Sequence, residues 1–334
     1  MIVVQAPSRL HFGLLSLRGE RDLAHGPNQA SSTNRCYGGV GLMIQSPGMS
    51  IRFKPAKEWS AQGPLGERAL SFAGRFLDSF PHAQRTAAHP AQEIMIDRCA
   101  PEHAGLGTGT QLGLAVARGL AEAWQLSISP EDLCGRVGRG QRSALGFHGF
   151  FQGGFLVEAG KTNHSSISPL VARVPFPEEW RIVLISPPGK TGLHGFEESE
   201  VFQQLTTQRA ALHPSEALCR LTLLGLLPAL SERDFKNFGE ALFDYNRLAG
   251  QAFAPSQGGI YAGPHVEEMI HFIQSQGFVG AGQSSWGPTV FAVTEDESAA
   301  KDLAARTCAS FNLQEKDIWV TAASNQGAIV RADG

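Results

Sequence analysis

A glycine-rich turn between a short strand and a long helix is the sequence feature that most restricts the fold. Apolar residues predict a strand at Ile94–Ile96. An apolar face that repeats every three or four residues predicts a helix over 112–124. The ten residues Pro101–Thr110 lie between them and contain three glycines. A turn of this kind predicts a mixed α/β chain in which backbone amides at a helix N-terminus approach a ligand.

The turn has the chemistry of an anion site. Helix N-termini carry N–H groups without intrahelical partners and a partial positive charge, and threonine hydroxyls add further donors. No Lys-Ser/Thr pair follows the last glycine, so the turn is not a Walker loop. The alternative is a tight turn with a threonine N-cap. The residues predicted to bind phosphate are Gly105, Leu106, Gly107, Thr108, Gly109 and Thr110.

Length and composition restrict the class of protein. A chain of 334 residues predicts two domains, and a connector near residue 175 divides it into 1–175 and 176–334. The net charge is -3 without a basic run, so neither nucleic acid nor an anionic membrane is an expected partner. Five widely spaced cysteines, no signal-peptide pattern and no run of roughly 18 apolar residues favour a cytoplasmic protein.

The remaining patterns alternate between strands and helices, which favours two mixed layers. Capping boxes are predicted at Ser129–Asp132 and Ser231–Asp234. Further strands are predicted at 2–6, 49–53, 155–157, 181–185, 289–293 and 318–321. Further helices are predicted at 66–80, 197–210, 215–229, 232–249, 266–273 and 297–310.

Several motifs in this order resemble a known family. Pro101 followed by 105–108 is similar to the phosphate motif of the GHMP kinase superfamily. Within it, the chain resembles the β-ribofuranosylaminobenzene 5′-phosphate synthase family in the stretches 7–12, 38–41, 105–112, 138–155 and 282–289. The resemblance implies an α+β fold with an S5-like N-terminal domain and a ferredoxin-like C-terminal domain. It also implies a homodimer.

The family's reaction, a step of tetrahydromethanopterin biosynthesis, sets the expected substrates. It joins phosphoribosyl pyrophosphate to a para-substituted benzoate, 4-aminobenzoate or 4-hydroxybenzoate, with loss of pyrophosphate and CO₂. Mg²⁺ is the implied cofactor, and no ATP is expected. The kinases of the superfamily have a second serine where this chain has Gly109–Gln111, and many have an aspartate base within 138–154. No Asp or Glu occurs between Asp132 and Glu158, which argues against a kinase.

The resemblance and the chemistry together select the site residues. Arg9 and Arg142 are expected on the pyrophosphate, ahead of Arg35 and Arg139, because arginine binds phosphate in a bidentate way. The alternative for each arginine is a surface salt bridge. The residues predicted to act in catalysis are Arg9, His11, Arg142 and Trp286; Ser284 and Ser285 are predicted to contact substrate, and Thr108 and Glu102 to bind Mg²⁺.

Structural roles are the alternatives for the other predicted residues. His11 lies two residues after Arg9, so a strand would point both side chains the same way; a hydrogen-bonded structural histidine is the alternative. Core packing is favoured for Phe147, Phe150 and Phe151. Two alternative functions remain open: an ATP-dependent GHMP-type small-molecule kinase and a non-catalytic phosphometabolite-binding protein.

Overall fold

The computed structural model describes residues 1–17, 35–81, 89–162, 167–187 and 214–332, which form two sheets with helices packed against them. The helix predicted at 197–210 lies outside these residues. In the part of the chain described, no helix combines the length and the apolar character needed to cross a membrane.

The first sheet has seven strands within the described residues. The central path runs β11–β1–β2–β4–β3, and β5 pairs with both β2 and β6. All pairs are antiparallel except β3–β4. The strands are β1 (Ile2–Leu14), β2 (Gly39–Pro55), β3 (Ser60–Gln62), β4 (Gln92–Arg98), β5 (Phe155–Glu158), β6 (Leu170–Val174) and β11 (Ile329–Ala332).

The second sheet has four antiparallel strands in the order β10–β7–β9–β8. Numbered from the first of the four, this order is 4-1-3-2, as a ferredoxin-like domain requires. The strand β11 comes last in the chain but pairs with β1 of the first sheet. The division at residue 175 itself stays a prediction. The strands are β7 (Arg181–Ile185), β8 (Ala281–Gln283), β9 (Val290–Thr294) and β10 (Ile318–Thr321).

Helices pack against both sheets. A π-helical turn, Thr222–Leu226, joins α5 to α6, and a 3₁₀ turn, Glu315–Asp317, precedes β10. The helices are α1 (Gly66–Asp78), α2 (Thr108–Ala123), α3 (Pro130–Arg136), α4 (Leu145–Gln152), α5 (Ser215–Leu221), α6 (Leu227–Glu232), α7 (Phe235–Gln257), α8 (Pro264–Ser275) and α9 (Glu297–Phe311).

Local sequence signals find most of these elements but misplace some ends. Ser129 caps α3 as predicted, by accepting a hydrogen bond from the Asp132 amide. The prediction that Ser231 caps the next helix is wrong. Asp234 is the N-cap of α7 and accepts from the Asn237 amide at 3.1 Å.

The two sheets share a buried junction at the end of β1. The rings of Phe12 and Phe291 lie 5.0 Å apart between their centroids. From α7, Asn246 Nδ2 donates to the carbonyl of Phe12 at 2.7 Å, and the Tyr245 hydroxyl donates to the carbonyl of Gly13 at 3.0 Å. Buried amide and hydroxyl groups with satisfied partners fix this junction, so β1 has a defined position against α7.

The packing of α2 on the first sheet allows a matched test of the fold. A β-carbon at Gly119 in α2 would lie 2.2 Å from Cε2 of buried Phe53, whereas one at exposed Gly74 in α1 would meet nothing within 4 Å. We expect Gly119→Ala to lose about 2 kcal/mol of unfolding free energy through overpacking. Gly74→Ala is expected to gain about 0.5–1 kcal/mol from helix propensity. Urea unfolding measures both, and equal midpoints for the two variants would contradict this packing.

Candidate active site

A cavity of about 530 Å³ opens where the two sheets meet. Four chain segments that are distant in sequence form most of its wall: the end of β1, the glycine-rich turn with the start of α2, the coil before α4, and the turn after β8. These segments carry the motifs from which the resemblance was inferred. The structure therefore brings most of the predicted site residues together.

The glycine-rich turn leads directly into α2. Gly107, with a φ of 72°, is the N-cap residue and makes no side-chain capping hydrogen bond, so the alternative of a threonine N-cap is wrong. Its carbonyl accepts from the amides of Thr110 and Gln111 at 3.0 and 3.1 Å. The first amides of α2, at Thr108 and Gly109, belong to residues that line the cavity. Such a helix start favours bound anions.

Ser284 joins the turn to β1. Its hydroxyl donates to the carbonyl of Gly105 at 2.8 Å and accepts from the His11 amide at 3.1 Å. The side chain is fully buried and does not line the cavity, whereas Ser285 does. The Ser285 amide donates to the carbonyl of His11 at 3.0 Å. Ser284 therefore links the glycine-rich turn to the end of β1. A contact of Ser284 or Ser285 with substrate stays a prediction.

Arg9 lies against the glycine-rich turn. Its amide donates to the carbonyl of Leu106 at 3.0 Å, and its Nη2 donates to the carbonyl of Gly105 at 3.4 Å. A β-carbon on Gly107 would lie 3.4 Å from Arg9 Nε, so glycine leaves room for the guanidinium beside the start of α2. This position places a permanent positive charge next to helix amides, as phosphate binding requires.

Arg68 of α1 approaches the same turn, although no sequence motif includes it. A β-carbon on Gly109 would lie 2.6 Å from its Nη2. The buried ring of Phe72 supports it at 6.0 Å and Arg139 at 4.8 Å. Burial, with a contribution from Arg75, lowers the pKa of Arg68. Arg75 lies over the same ring at 5.9 Å. Aromatic faces stabilise guanidinium groups, so Phe72 supports three arginines, of which Arg68 and Arg139 line the cavity.

Positive charge dominates the cavity wall. Arg142 also lines the cavity, while Arg35 does not and instead donates to the carbonyl of Gly160 at 2.9 Å. Among the described residues of the wall, Glu102 is the one carboxylate, and it forms an ion pair with Arg68. Four arginines face one carboxylate, and that carboxylate is already paired. A strongly anionic ligand fits this balance.

The predicted Mg²⁺ ligands offer few oxygen atoms. The Thr108 hydroxyl donates to the carbonyl of Pro101 at 2.8 Å, and Glu102 pairs with Arg68. No cluster of three or more His, Cys, Asp or Glu side chains suited to a metal occurs among the described residues. Mg²⁺ commonly binds through one or two protein oxygens together with substrate phosphates. Glu102 is the one carboxylate among the described wall residues, so a Mg²⁺ ion bound here would be held mainly by substrate phosphates.

His11 faces the cavity as a neutral side chain. Burial, assisted by the charge of Arg9, lowers the pKa of His11 well below its ordinary value. A β-carbon on Gly39 would lie 3.3 Å from its Nε2, so the ring packs closely on β2. A neutral imidazole has one donor and one acceptor nitrogen. It suits a hydroxyl or amine of a substrate better than a phosphate.

Another part of the cavity wall is apolar. Trp286 is buried, and its ring packs at 75° and 4.5 Å on Phe253 of α7. Leu14 belongs to the same cluster. All three residues line the cavity. Flat aromatic and aliphatic surfaces suit a planar ring, whereas Phe147 and Phe150 pack into the core of the first sheet.

Arg68 and Phe253 are among the cavity residues that were missed from the sequence. Arg68 lies on the amphipathic helix α1, where an arginine is the ordinary solvent-facing residue. Phe253 lies far along α7, where apolar spacing indicates only packing. Recognition of either would have required knowing that α1 and α7 both contribute to the cavity wall.

Similarity to known proteins agrees with this geometry. A family model described as the GHMP kinases N-terminal domain matches residues 71–152, and one described as GHMP kinases C terminal matches 226–313. The β-ribofuranosylphenol 5′-phosphate synthase of Methanothermobacter thermautotrophicus is 30% identical over 318 residues, 89% of each chain. The protein of the same name from Archaeoglobus fulgidus is 28% identical over 98% of each chain.

A kinase is also similar in sequence, and another kinase and a decarboxylase are similar in fold. The 4-diphosphocytidyl-2-C-methyl-D-erythritol kinase of Exiguobacterium sibiricum is 28% identical over 302 residues, 90% of this chain and 92% of its own. Homoserine kinase from Cytophaga hutchinsonii superposes with a TM-score of 0.67 at 15% identity, covering 99% of this chain and 97% of its own. Mevalonate diphosphate decarboxylase from Enterococcus faecalis gives 0.62 at 15% identity and 99% of both.

The solved structures establish the two-domain α+β fold that the resemblance implied. The matches to the family models and to the archaeal synthases identify the family as well as the fold. The chain belongs to the GHMP kinase superfamily and, within it, to the family of the β-ribofuranosylphenol 5′-phosphate synthases.

Proposed function

We propose that this enzyme joins phosphoribosyl pyrophosphate to a para-substituted benzoate, releasing pyrophosphate and CO₂, as a step of tetrahydromethanopterin biosynthesis. One observation carries the proposal: four arginines, the start of α2 and an aromatic cluster line the same cavity. The names of the archaeal relatives support it and favour 4-hydroxybenzoate over 4-aminobenzoate, since the product they name is a phenol.

The proposed reaction can proceed without a carboxylate base in the cavity wall, as its bond changes show. The C1′–oxygen bond of the donor breaks, and pyrophosphate leaves with its electron pair. The ring carbon that bears the carboxylate forms the new bond to C1′. The bond between this ring carbon and the carboxylate then breaks, CO₂ leaves, and the electron pair of the broken bond restores the aromatic ring. No proton has to be removed overall, so the reaction needs no carboxylate base.

Each part of the wall has a role in this reaction. Arg9, Arg68 and the first amides of α2 stabilise the charge that develops on departing pyrophosphate. Trp286 and Phe253 hold the benzoate ring against C1′, and neutral His11 hydrogen-bonds a hydroxyl of the ribose or of the ring. The same apolar surface keeps water from the carboxylate as it leaves.

A kinase fits this cavity less well. Phosphoryl transfer to a hydroxyl is commonly assisted by a carboxylate base. Among the described wall residues only Glu102 is a carboxylate, and it is paired with Arg68. The kinase remains the second candidate because of its sequence similarity to this chain. A protein that only binds phosphometabolites is the third.

Magnesium, a homodimer and a cytoplasmic location complete the proposal. Glu102 and Thr108 would hold Mg²⁺, which neutralises pyrophosphate when it is bound. The family resemblance supports the homodimer, and the cysteine pattern supports a reducing compartment. Sedimentation velocity measures the assembly state directly.

The decisive test is release of labelled CO₂. Purified protein is incubated with phosphoribosyl pyrophosphate, Mg²⁺ and carboxyl-labelled 4-hydroxybenzoate or 4-aminobenzoate, with ATP alone as a control. We expect CO₂ release that requires the pyrophosphate donor and no ATP. Consumption of ATP with no CO₂ from either benzoate would establish the kinase instead, and binding without any turnover would leave the third candidate.

A further inference from the structure

The coil between α3 and α4 carries two of the cavity's arginines without regular secondary structure. Six consecutive residues, 138–143, line the cavity. Gly138 and Gly140 have φ values of 66° and 73°, which break any repeating backbone. Arg139 and Arg142 lie within this stretch. A coil of this kind holds arginines at fixed positions only if other residues anchor it.

Glu158 anchors the far end of the coil. It is the last residue of β5, and its side chain is fully buried. Its carboxylate accepts from the Ala144 amide at 2.7 Å and from the Ser143 hydroxyl. A buried carboxylate is costly unless hydrogen bonds satisfy it. These two bonds attach the coil to the first sheet, where Glu158 pairs with Gly39 of β2.

Lys161 anchors the middle of the coil. Its ammonium donates to the carbonyls of Gly140 at 3.3 Å and of Gln141 at 3.1 Å. The backbone of Lys161 exchanges two hydrogen bonds with Cys36, at 2.7 and 2.9 Å. Neither Lys161 nor Glu158 lines the cavity. Both side chains therefore hold the coil without lining the cavity themselves.

We propose that Glu158 and Lys161 are positioning residues that hold Arg139 and Arg142 in place for the pyrophosphate group of the donor. The inference rests on the proposed function, because the ligand is the donor of that reaction. Displacement of a binding group by about 1 Å is enough to weaken a transition-state contact substantially. Loss of the anchor is expected to raise the KM for the donor more than that for the benzoate.

The protonation of Glu158 predicts a pH dependence of donor binding that can be measured. Burial raises the pKa of Glu158 to about 7, although hydrogen bonds from Ser143, Ala144 and Ser168 oppose the increase. From α7 it is faced by Tyr245, whose own pKa burial raises well above its ordinary value. His148 of α4 contacts the carbonyl of Ser168 at 2.7 Å. Protonation of the Glu158 carboxylate puts a hydroxyl where the Ala144 amide points. The hydrogen bonds that hold the coil therefore weaken as the pH falls through about 7.

The experiment measures binding and turnover in the full-length protein from pH 6 to pH 8.5. Calorimetry with phosphoribosyl pyrophosphate gives the Kd, and CO₂ release gives both KM values. The variants are Glu158→Gln, Lys161→Met and, as a matched strand control remote from the cavity, Glu93→Gln. Circular dichroism establishes that each variant is folded.

In the wild type and in Glu93→Gln, we expect donor affinity to fall about tenfold as the pH decreases through 7. Glu158→Gln should be weak at high pH and lack this dependence. Lys161→Met should weaken donor binding while keeping the pH dependence, so it tests the anchor even if Glu158→Gln does not fold. If Glu158→Gln and Lys161→Met both kept the donor affinity and the pH dependence of the wild type, the inference would be wrong and the proposed function would stand. No donor binding by the wild type would overturn the proposed function and the inference together.

Discussion

Replacement of Arg9 by methionine is expected to lower kcat/KM for phosphoribosyl pyrophosphate by about 100- to 1,000-fold, the usual cost of removing one transition-state charge contact. The guanidinium lies along the glycine-rich turn, beside the first amides of α2, where the proposed function places the leaving pyrophosphate. Methionine keeps the apolar stem and removes the charge. Steady-state CO₂ release at saturating benzoate measures the loss.

Two further variants separate charge from geometry. Arg9→Lys keeps a point charge but not the bidentate fork, so we expect an intermediate loss. Arg118→Met removes an arginine on the exposed face of α2, where Arg118 pairs with Glu122, and should leave the rate unchanged. If Arg9→Met retained wild-type kcat/KM, the donor phosphates would have to bind elsewhere in the cavity.

The fold was predictable where periodicity reflects burial on one face. The helix α1 was found because its apolar residues recur at helical spacing, and Ala69, Phe72, Ala73 and Phe76 bury one face. The strand β1 continues to Leu14, well past the predicted 2–6. The prediction ended too early because Arg9 and His11 are polar residues that line the cavity. Hydrophobic alternation cannot detect a strand whose polar side chains face a site.

The candidate site was predictable where a local motif carries it. Residues 105–110 form a turn that leads into a helix start by their own geometry, so their place in the cavity wall could be predicted from the sequence. Arg68 and Glu102 are 34 residues apart and pair only because α1 packs beside the turn. The anchoring of Ser143 by Glu158 is similar, since the chain has to fold β5 onto β2 before the carboxylate can reach it.

Replacement of Gly105 by alanine is expected to have the second large effect, on stability and activity together. Gly105 has a φ of 84°, and a β-carbon there would lie 2.1 Å from the carbonyl oxygen of Ser284. That oxygen belongs to the backbone, so it cannot rotate away. Overpacking and a left-handed backbone together are expected to cost about 3 kcal/mol of unfolding free energy.

Gly105→Ala is also expected to disturb the link between the glycine-rich turn and β1. Ser284 Oγ donates to the carbonyl of Gly105, so a displaced turn also loses its link to His11. At a temperature where Gly105→Ala is still folded, we expect at least about a 100-fold loss of kcat/KM for the donor. Gly135→Ala in α3, where a β-carbon would meet nothing within 4 Å, is the matched control. If Gly105→Ala unfolds earlier yet keeps its donor affinity, close contact between the two turns stabilises the fold but does not shape the phosphate site.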